Sequence, residues 1–221
     1  NITLIIPAKN ESEALPRVLS RLGKFNFKIM VVLHKSDVKT INSIKRFRVK
    51  ILYQTHQGYG DALIKGIKNC KTELFCIFNA DGSFKITEVL KMKKLLQSKK
   101  LDFVFGSRYQ KNAQSHDDTI ITLIGNFFFT KLGQIFFGLP ITDILYTFVL
   151  GKTAKAKKLK LIEKNFAFCI ELPIKAVKKN MLIASSSSVE FKRIAGEKKV
   201  NEFRDGLKIL YSMIKLFFKN A

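Results

Sequence analysis

Asn79-Ala80-Asp81-Gly82-Ser83 directly follows the apolar run Leu74-Phe75-Cys76-Ile77-Phe78. A run of that length, bounded by turn residues, reads as a buried strand of a parallel sheet. Ligands of open α/β sheets bind just past the carboxyl ends of such strands. A carboxylate there, in a turn opened by glycine, can hold a divalent cation against a phosphate. An Asx turn that only ends the strand uses the same residue types. Other residues suit the same anionic ligand. Arg108, in the loop after the next strand-like run, is suited to bidentate phosphate contact. Arg193, Lys198 and Lys199 form a cationic loop that Gly196 leaves free to move, and a solvated basic turn has the same composition. Gly58 and Gly60 precede a helical segment, where they either cradle a phosphate or make a tight turn.

The elements that must position these residues alternate. Strand-like runs at 2–6, 28–33, 49–53, 74–78 and 103–105 are separated by helical periodicity at 13–22, 38–46, 60–69 and 87–98. This pattern argues for βαβ units and a doubly wound, mostly parallel α/β sheet with helices on both faces. Right-handed crossovers then bring the loops after the strands to one edge. Beyond Tyr109 the pattern changes. A polar segment, 110–119, leads into a Phe-rich stretch and a further strand at 147–150. A helix near 169–179, a Ser-rich strand-like segment at 183–191 and a last helix at 202–219 follow. We read one domain over 1–221: a ligand-binding half, 1–109, and an elaborated second half, 110–221.

Composition narrows the partners. Hydrophobic residues make up 47% of the 221, enough for a sizeable core, and 40 Lys plus Arg face 17 Asp plus Glu, a formal net charge of +23. The excess points to a polyanion: nucleic acid, an anionic membrane surface or phosphorylated substrates. With neither Arg clusters nor an aromatic RNA-binding signature, no nucleic acid is expected. Cys70, Cys76 and Cys169 are widely spaced and odd in number, which fits small core filler in a reducing, cytoplasmic setting. His34, His56 and His116 are too scattered for a zinc site. No signal peptide is visible. The longest apolar stretch, Ile120 to Thr142, is interrupted by Asn126, Lys131, Gln134 and Pro140. It reads as short of a clean membrane span, with phenylalanines able to rest in a bilayer surface.

Taken in order, the loops resemble those of the family-2 inverting glycosyltransferases of GT-A fold, above all the dolichol-phosphate mannose synthase and polyprenyl-phosphate glycosyltransferase branch. Pro7-Ala8-Lys9-Asn10-Glu11 with Leu15-Pro16 looks like that family's opening motif, and Gly58-Tyr59-Gly60-Asp61-Ala62-Leu63 resembles its G-x-G-x-A-L. Asn79-Ala80-Asp81 stands where the family has Asp-Ala-Asp, and Gly106-Ser107-Arg108-Tyr109 matches its G-S-R-Y. Asp143 followed by Thr147-Phe148, Phe168-x-x-Glu171-Leu172, and Arg193-x-x-Gly196-Glu197-Lys198-Lys199 are similar to its remaining motifs. The resemblance implies an enzyme (a hexosyl-type transferase) moving a sugar from a nucleotide-sugar donor to a lipid-linked or saccharide acceptor. It implies donor contacts at Pro7, Ala8, Asn10, Glu11, Asp37, Gly58, Gly60, Asn79, Asp81, Arg108, Lys198 and Lys199. A Mg²⁺ or Mn²⁺ ion would be held by Asp81 with Asn79 and Ser83. Arg108 and Arg193 would stabilise charge on the departing diphosphate. Asp143 is the candidate general base, or the group that positions an acceptor and orients nearby cations. A helix N-cap or a partner for a structural Arg are its other readings, and Asp117, Asp118 and Glu171 follow it as candidates.

Three departures from the family pattern stand out. Leu33-His34-Lys35-Ser36-Asp37 keeps only the later Ser and Asp where the family has paired aspartates. Asn79 replaces the first aspartate of its motif, and Lys198 replaces a serine. They imply altered donor recognition and weaker metal affinity. Two alternatives stay open: a catalytically impaired nucleotide-sugar-binding homologue, and a basic nucleic-acid-binding module. In the last helix Phe203, Leu207, Leu210, Tyr211, Ile214, Phe217 and Phe218 share one apolar face, and Arg204, Lys208, Lys215 and Lys219 fall largely off it. Such a helix lies in the headgroup region of an anionic bilayer or docks onto the sheet. The charge favours the first, a peripheral, reversible attachment to the inner face of the membrane.

Overall fold

The computed structural model describes residues 1–196 and 201–218. Lys198, Lys199 and Lys219 lie outside the described residues. The first half alternates as its periodicity predicts: β1 (Ile2–Pro7), α1 (Ala14–Leu22), β2 (Lys28–Leu33), α2 (Val38–Ser43), β3 (Lys50–Tyr53), α3 (Tyr59–Asn69), β4 (Leu74–Ile77), α4 (Ile86–Ser98) and β5 (Phe103–Ser107). The second half holds β6 (Gln114–Ser115), α5 (Ile120–Phe137), β7 (Val149–Lys152), α6 (Thr153–Lys158), α7 (Phe168–Lys178), β8 (Ile183–Ser187), β9 (Val189–Glu190) and α8 (Glu202–Phe218).

A 7-stranded sheet runs in the order β3-β2-β1-β4-β7-β5-β8, with β6 and β9 forming a separate 2-stranded ribbon. All neighbours in the large sheet are parallel except β7, which is antiparallel to both β4 and β5. The strands are apolar on both faces because both are covered. Ile5, Val32, Phe75, Ile77 and Phe103 face a core shared with α3, α7 and α8. Leu4, Ile6, Val31, Cys76, Phe78 and Val104 face a second core with Leu15 and Leu19 of α1 and Val89 and Met92 of α4. Parallel pairing places the carboxyl ends of β1, β2 and β4 on one edge, and the Arg108 loop after β5 joins them.

Two elements differ from the sequence reading. The strand expected at 147–150 is Val149–Lys152 and runs backwards between two parallel strands. The Phe-rich stretch, read as short of a membrane span, is one helix of 18 residues with mean hydropathy 1.5, long and apolar enough to cross a membrane by length and composition. A capping box starts it: Thr119 N–H donates to Thr122 Oγ1 (2.8 Å), and Thr122 N–H donates to Thr119 Oγ1 (3.3 Å). Gly138 ends it in the left-handed conformation. The helix is inverted for a water-facing surface. It buries Asn126, Phe129, Thr130 and Gly133, and leaves Ile120 77% and Phe127 64% exposed.

α8 shows the same inversion. Its core-facing stripe is Asp205, Ile209, Ser212, Met213 and Leu216, whereas Phe203, Leu207, Tyr211, Ile214, Phe217 and Phe218 are exposed. Of the apolar face expected from the sequence, Leu210 packs against the core and the other six residues do not dock onto the sheet. The face meets α5 instead, with Phe217 edge-on to Phe136 and Phe137 (5.8 and 6.0 Å between ring centroids). An apolar groove of about 180 Å³ runs between the two helices.

Candidate functional site

A cleft of about 1160 Å³ opens at the carboxyl edge of the sheet. Its floor is built by three loops that backbone bonds tie together. Pro7 ends β1, and Ala8 N–H continues the ladder to Val32 O (2.9 Å). Asp37 joins the first two loops: its Oδ2 accepts from Asn10 N–H (2.7 Å) and its Oδ1 caps α2 at Thr40 N–H (3.3 Å). Glu11 is buried with its N–H on Thr40 Oγ1 (2.9 Å). Pro7, Ala8, Asn10, Glu11, Asp37, Gly58, Asn79, Asp81, Arg108 and Arg193 all line the cleft.

Gly60 does not line it. A Cβ there would sit 2.1 Å from Glu163 O, and one on Gly58 would sit 2.1 Å from Lys164 O. Both glycines let the start of α3 meet the 163–165 backbone, where Asp61 N–H donates to Lys164 O (3.0 Å). Close backbone approach thus accounts for both, and only Gly58 also touches the cleft.

In the Asn79–Ser83 turn, Asp81 Oδ1 accepts from Ser83 N–H (3.0 Å) and Ser83 Oγ (2.8 Å). Ser83 is buried and off the cleft wall, so it braces Asp81 rather than facing a ligand, a correction to its expected place as a metal ligand. Asp81 Oδ2 and Asn79 Oδ1 have no hydrogen-bond partner among the described residues. No group of three or more His, Cys, Asp or Glu side chains able to hold a metal occurs among the described residues. One carboxylate oxygen and one amide oxygen suit a Mg²⁺ or Mn²⁺ ion that takes its other oxygens from water and phosphate. The donor set fits the ion on those terms.

The cationic segment after β9 is fastened to this turn. Phe191 N–H donates to Ser83 O (2.9 Å) and Ile194 N–H to Asp81 O (2.8 Å). Gly82, at φ +82, leaves room for Ile194, whose Cδ1 would lie 2.4 Å from a Cβ at that position. Arg193 is thereby held in the cleft, ion-paired with Asp117. That hydrogen bond, with Asp81 and Glu11 nearby, raises its pKa above the ordinary value.

Arg108 is the hub of the opposite wall. Its Nε and Nη2 grip Asp143 (2.8 and 3.0 Å), and its Nη1 is shared by Asp118 and Glu190 (3.2 Å each). The guanidinium carbon lies 4.7 Å from the Tyr146 ring centroid. Burial disfavours the Arg108 charge, but the charge and hydrogen bonding of Asp143, with the charge of Glu190, together outweigh it and lift the pKa well above its ordinary value. Asp143 is 0% exposed with both oxygens on Arg108, and it does not line the cleft. Of its sequence readings, the geometry matches the Arg partner; a base facing an acceptor is not where this carboxylate sits. Glu171 is buried away from the cleft, accepting from Ile162 and Glu163 N–H groups.

Sequence reasoning missed Glu190, Asn126 and Tyr59 and ranked Asp117 and Asp118 low, yet all five line the cleft. The signal for Glu190 was a carboxylate inside a strand-like run. For Asn126 it was an amide in the midst of a helix of Ile and Phe. Tyr59 stacks on Phe166 (5.0 Å between centroids) and shares a hydrogen bond with Thr147 Oγ1 (2.6 Å).

A doubly wound sheet with a carboxylate turn and guanidinium groups at its carboxyl edge is the architecture of an α/β protein that binds an anionic ligand at that edge. The chain belongs to glycosyl transferase family 2, whose pattern it matches over residues 3–160. It is 29% identical over 107 residues to an uncharacterised glycosyltransferase of Mycobacterium tuberculosis, covering 48% of this chain and 48% of that protein. The match thus spans about half the length of that relative. It is 24% identical over 226 residues to a UDP-N-acetylglucosamine--dolichyl-phosphate N-acetylglucosaminyltransferase of Methanococcus voltae, covering 85% of this chain and 90% of the relative. Among solved structures, glucosyl-3-phosphoglycerate synthase from Mycobacterium tuberculosis in complex with UDP superposes at a TM-score of 0.71 with 13% identity, covering 98% of this chain and 80% of the other. At that identity the likeness shows the fold.

Proposed function

We propose that the protein transfers a sugar, with inversion, from a nucleoside diphosphate sugar to a lipid-linked or saccharide acceptor at a membrane surface. The observation that carries the reading is the Asp81 turn. It offers one open carboxylate oxygen at the end of a buried strand and has Arg193 fastened beside it. The donor diphosphate fits between this turn and Arg108. Asp81 and Asn79 would hold a divalent cation there, which supplies positive charge to the departing diphosphate. Arg193 adds a fixed cation to the same oxygens, and Arg108, pinned by Asp143, needs no reorganisation to act. Relatives named for dolichol-phosphate mannosyl and dolichyl-phosphate N-acetylglucosaminyl transfer support a lipid-linked acceptor. The neighbouring synthase solved with Mn²⁺ and UDP supports the cation.

Peripheral attachment to the inner, cytoplasmic face of the membrane belongs to the same proposal. Its support is the apolar surface shared by α5 and α8 on a chain of net charge +23, together with three free, buried cysteines. Asn79, a neutral ligand in the turn, favours a second reading in which the donor binds but does not turn over.

Titration with UDP and GDP, with and without Mn²⁺, followed by hydrolysis of a nucleotide-sugar panel, separates the two. Nucleotide binding should strengthen with Mn²⁺ and lose that dependence in Asp81→Ala. Equal Mn²⁺ dependence in a folded Asp81→Ala protein would refute the assignment.

A further inference from the structure

Six acidic side chains at the Arg108 and Asp81 ends of the cleft can be sorted by where their oxygens go. Asp143 spends both on Arg108, and Asp118 spends its own on Arg108, Thr122 and Tyr109. Asp117 is tied to Arg193, Asp37 caps α2, and Asp81, with Oδ1 on Ser83, is the carboxylate assigned above to the cation at the donor end. Glu190 differs. Only 8% exposed, it lines the cleft and commits Oε2 alone, accepting from Arg108 Nη1 (3.2 Å) and Ser115 Oγ (2.6 Å). Its Oε1 has no hydrogen-bond partner among the described residues and is not sealed from solvent. Phe191, the next residue, is already bonded to the Asp81 turn, so Glu190 stands between the donor end and the Arg108 cluster.

A second observation points to a ligand beside it. Asn126 is 1% exposed and lines the same cleft, with its Oδ1 accepting from Leu145 N–H (3.0 Å) and its Nδ2 without a partner among the described residues. A buried amide N–H₂ left unmade costs about 1–3 kcal/mol, and an acceptor oxygen in the cleft would satisfy it. Asn126 lies one helical turn beyond Thr122, whose hydroxyl bonds the Asp118 that shares Arg108 Nη1 with Glu190. The open carboxylate oxygen selects the kind of nucleophile: it can take the proton of a hydroxyl, whereas an ionised phosphate oxygen has no proton to give.

Resting on the transfer reaction above, we propose that Glu190 is the catalytic base and that the nucleophile it serves is a hydroxyl of a saccharide acceptor rather than a phosphate oxygen. As the hydroxyl oxygen bonds to the anomeric carbon, its proton passes to Glu190 Oε1. The bond from that carbon to the diphosphate breaks, its electron pair leaves on the phosphate oxygen, and the configuration inverts. Arg108 and Ser115 hold the carboxylate by its other oxygen, which fixes the direction in which Oε1 points.

The test uses Glu190→Gln and Glu190→Asp in the full chain, with thermal melts and UDP and GDP titration to show that each folds and binds nucleotide. Each is assayed for hydrolysis of a nucleotide-sugar panel, for transfer to a soluble methyl glycoside, to a lipid-linked saccharide in vesicles, and to a polyprenyl phosphate. Glu190→Gln should cut hydrolysis and hydroxyl transfer by roughly 10²–10⁴-fold in kcat, the worth of a general base, with nucleotide affinity unchanged; Glu190→Asp should fall in between. The methyl glycoside and the lipid-linked saccharide then tell a free acceptor from a carried one. Wild-type turnover in Glu190→Gln, transfer only to the phosphate, or a bound donor that is neither hydrolysed nor transferred would each overturn the assignment. Failure of the wild-type chain to bind any nucleotide would instead overturn the transfer reaction itself.

Discussion

Removing the Arg108 side chain tests how the site is held together. Arg108→Ala deletes both bonds that its guanidinium makes to Asp143 and leaves that carboxylate fully buried. Breaking a buried pair from one side costs about 3–5 kcal/mol because the remaining charge is uncompensated. The backbone N–H of residue 108 still reaches Asp143 Oδ2 (3.1 Å), which argues for the lower half of that range. Asp118 and Glu190 lose a shared partner too, but each is partly open to the cleft and keeps a hydroxyl donor. We expect a loss of about 3–4 kcal/mol, which for a domain of this size is roughly 6–16 °C in Tm. Urea unfolding alongside thermal melts measures it. The double variant Arg108→Ala/Asp143→Ala removes the stranded charge, so it should recover at least ~2 kcal/mol relative to the sum of the single losses. A single-variant loss under ~1 kcal/mol, or strict additivity in the double, would show that Asp143 is hydrated and free, and the reasoning that it braces Arg108 would fall.

Two further predictions concern the turn and the apolar surface. Gly82→Ala must adopt a left-handed backbone, about 1–2 kcal/mol for a single residue, and must also push Ile194 away. It should lose that stability in urea unfolding and weaken Mn²⁺-dependent UDP binding, and unchanged binding would mean that the Ile194 segment does not support the Asp81 turn. In flotation with anionic liposomes the protein should bind at low salt and release as salt rises. Ile124→Asp and Phe127→Asp, both on exposed positions of α5, should lower partition at least tenfold, since burying one such side chain is worth about 1.5–3 kcal/mol. Partition that ignores both substitutions would assign α5 to another surface.

The first half of the fold was legible because its signals are local. Strands apolar on both faces, such as 74–78, alternate with amphipathic helices, and each loop follows its strand by a few residues. The ends of β2 came out as the sequence predicts, and those of β1, β3 and β4 fell within one residue. β7 was harder. An apolar run of four residues looks the same in either direction, and only the chain's return through α5 decides that it runs antiparallel. α5 itself was hidden by the rule that polar residues interrupt an apolar helix. Of the four residues read as interruptions, Asn126 shares the buried face with Thr130 and Gly133, Gln134 turns its amide to Ile141 O, Lys131 is exposed and Pro140 lies past the helix end, so the periodicity is inverted rather than absent.

Within the site, motif position and chemical role parted company. Asp143 stands where a catalytic carboxylate is expected, yet its neighbours give both its oxygens to Arg108. Ser83 likewise gives its hydroxyl to Asp81, and Gly60 gives its open face to the 163–165 backbone. In each case a residue's type could be read from the chain, but its unspent hydrogen-bonding capacity could not, because that depends on partners 2 to more than 100 positions away. Capacity left over is what a ligand meets. By that measure the cleft is defined less by motif membership than by atoms that find no hydrogen-bond partner among the described residues: Asp81 Oδ2 and Asn79 Oδ1 at the donor end, Glu190 Oε1 beside Arg108, and the buried Asn126 Nδ2 on a helix whose other face is apolar and exposed.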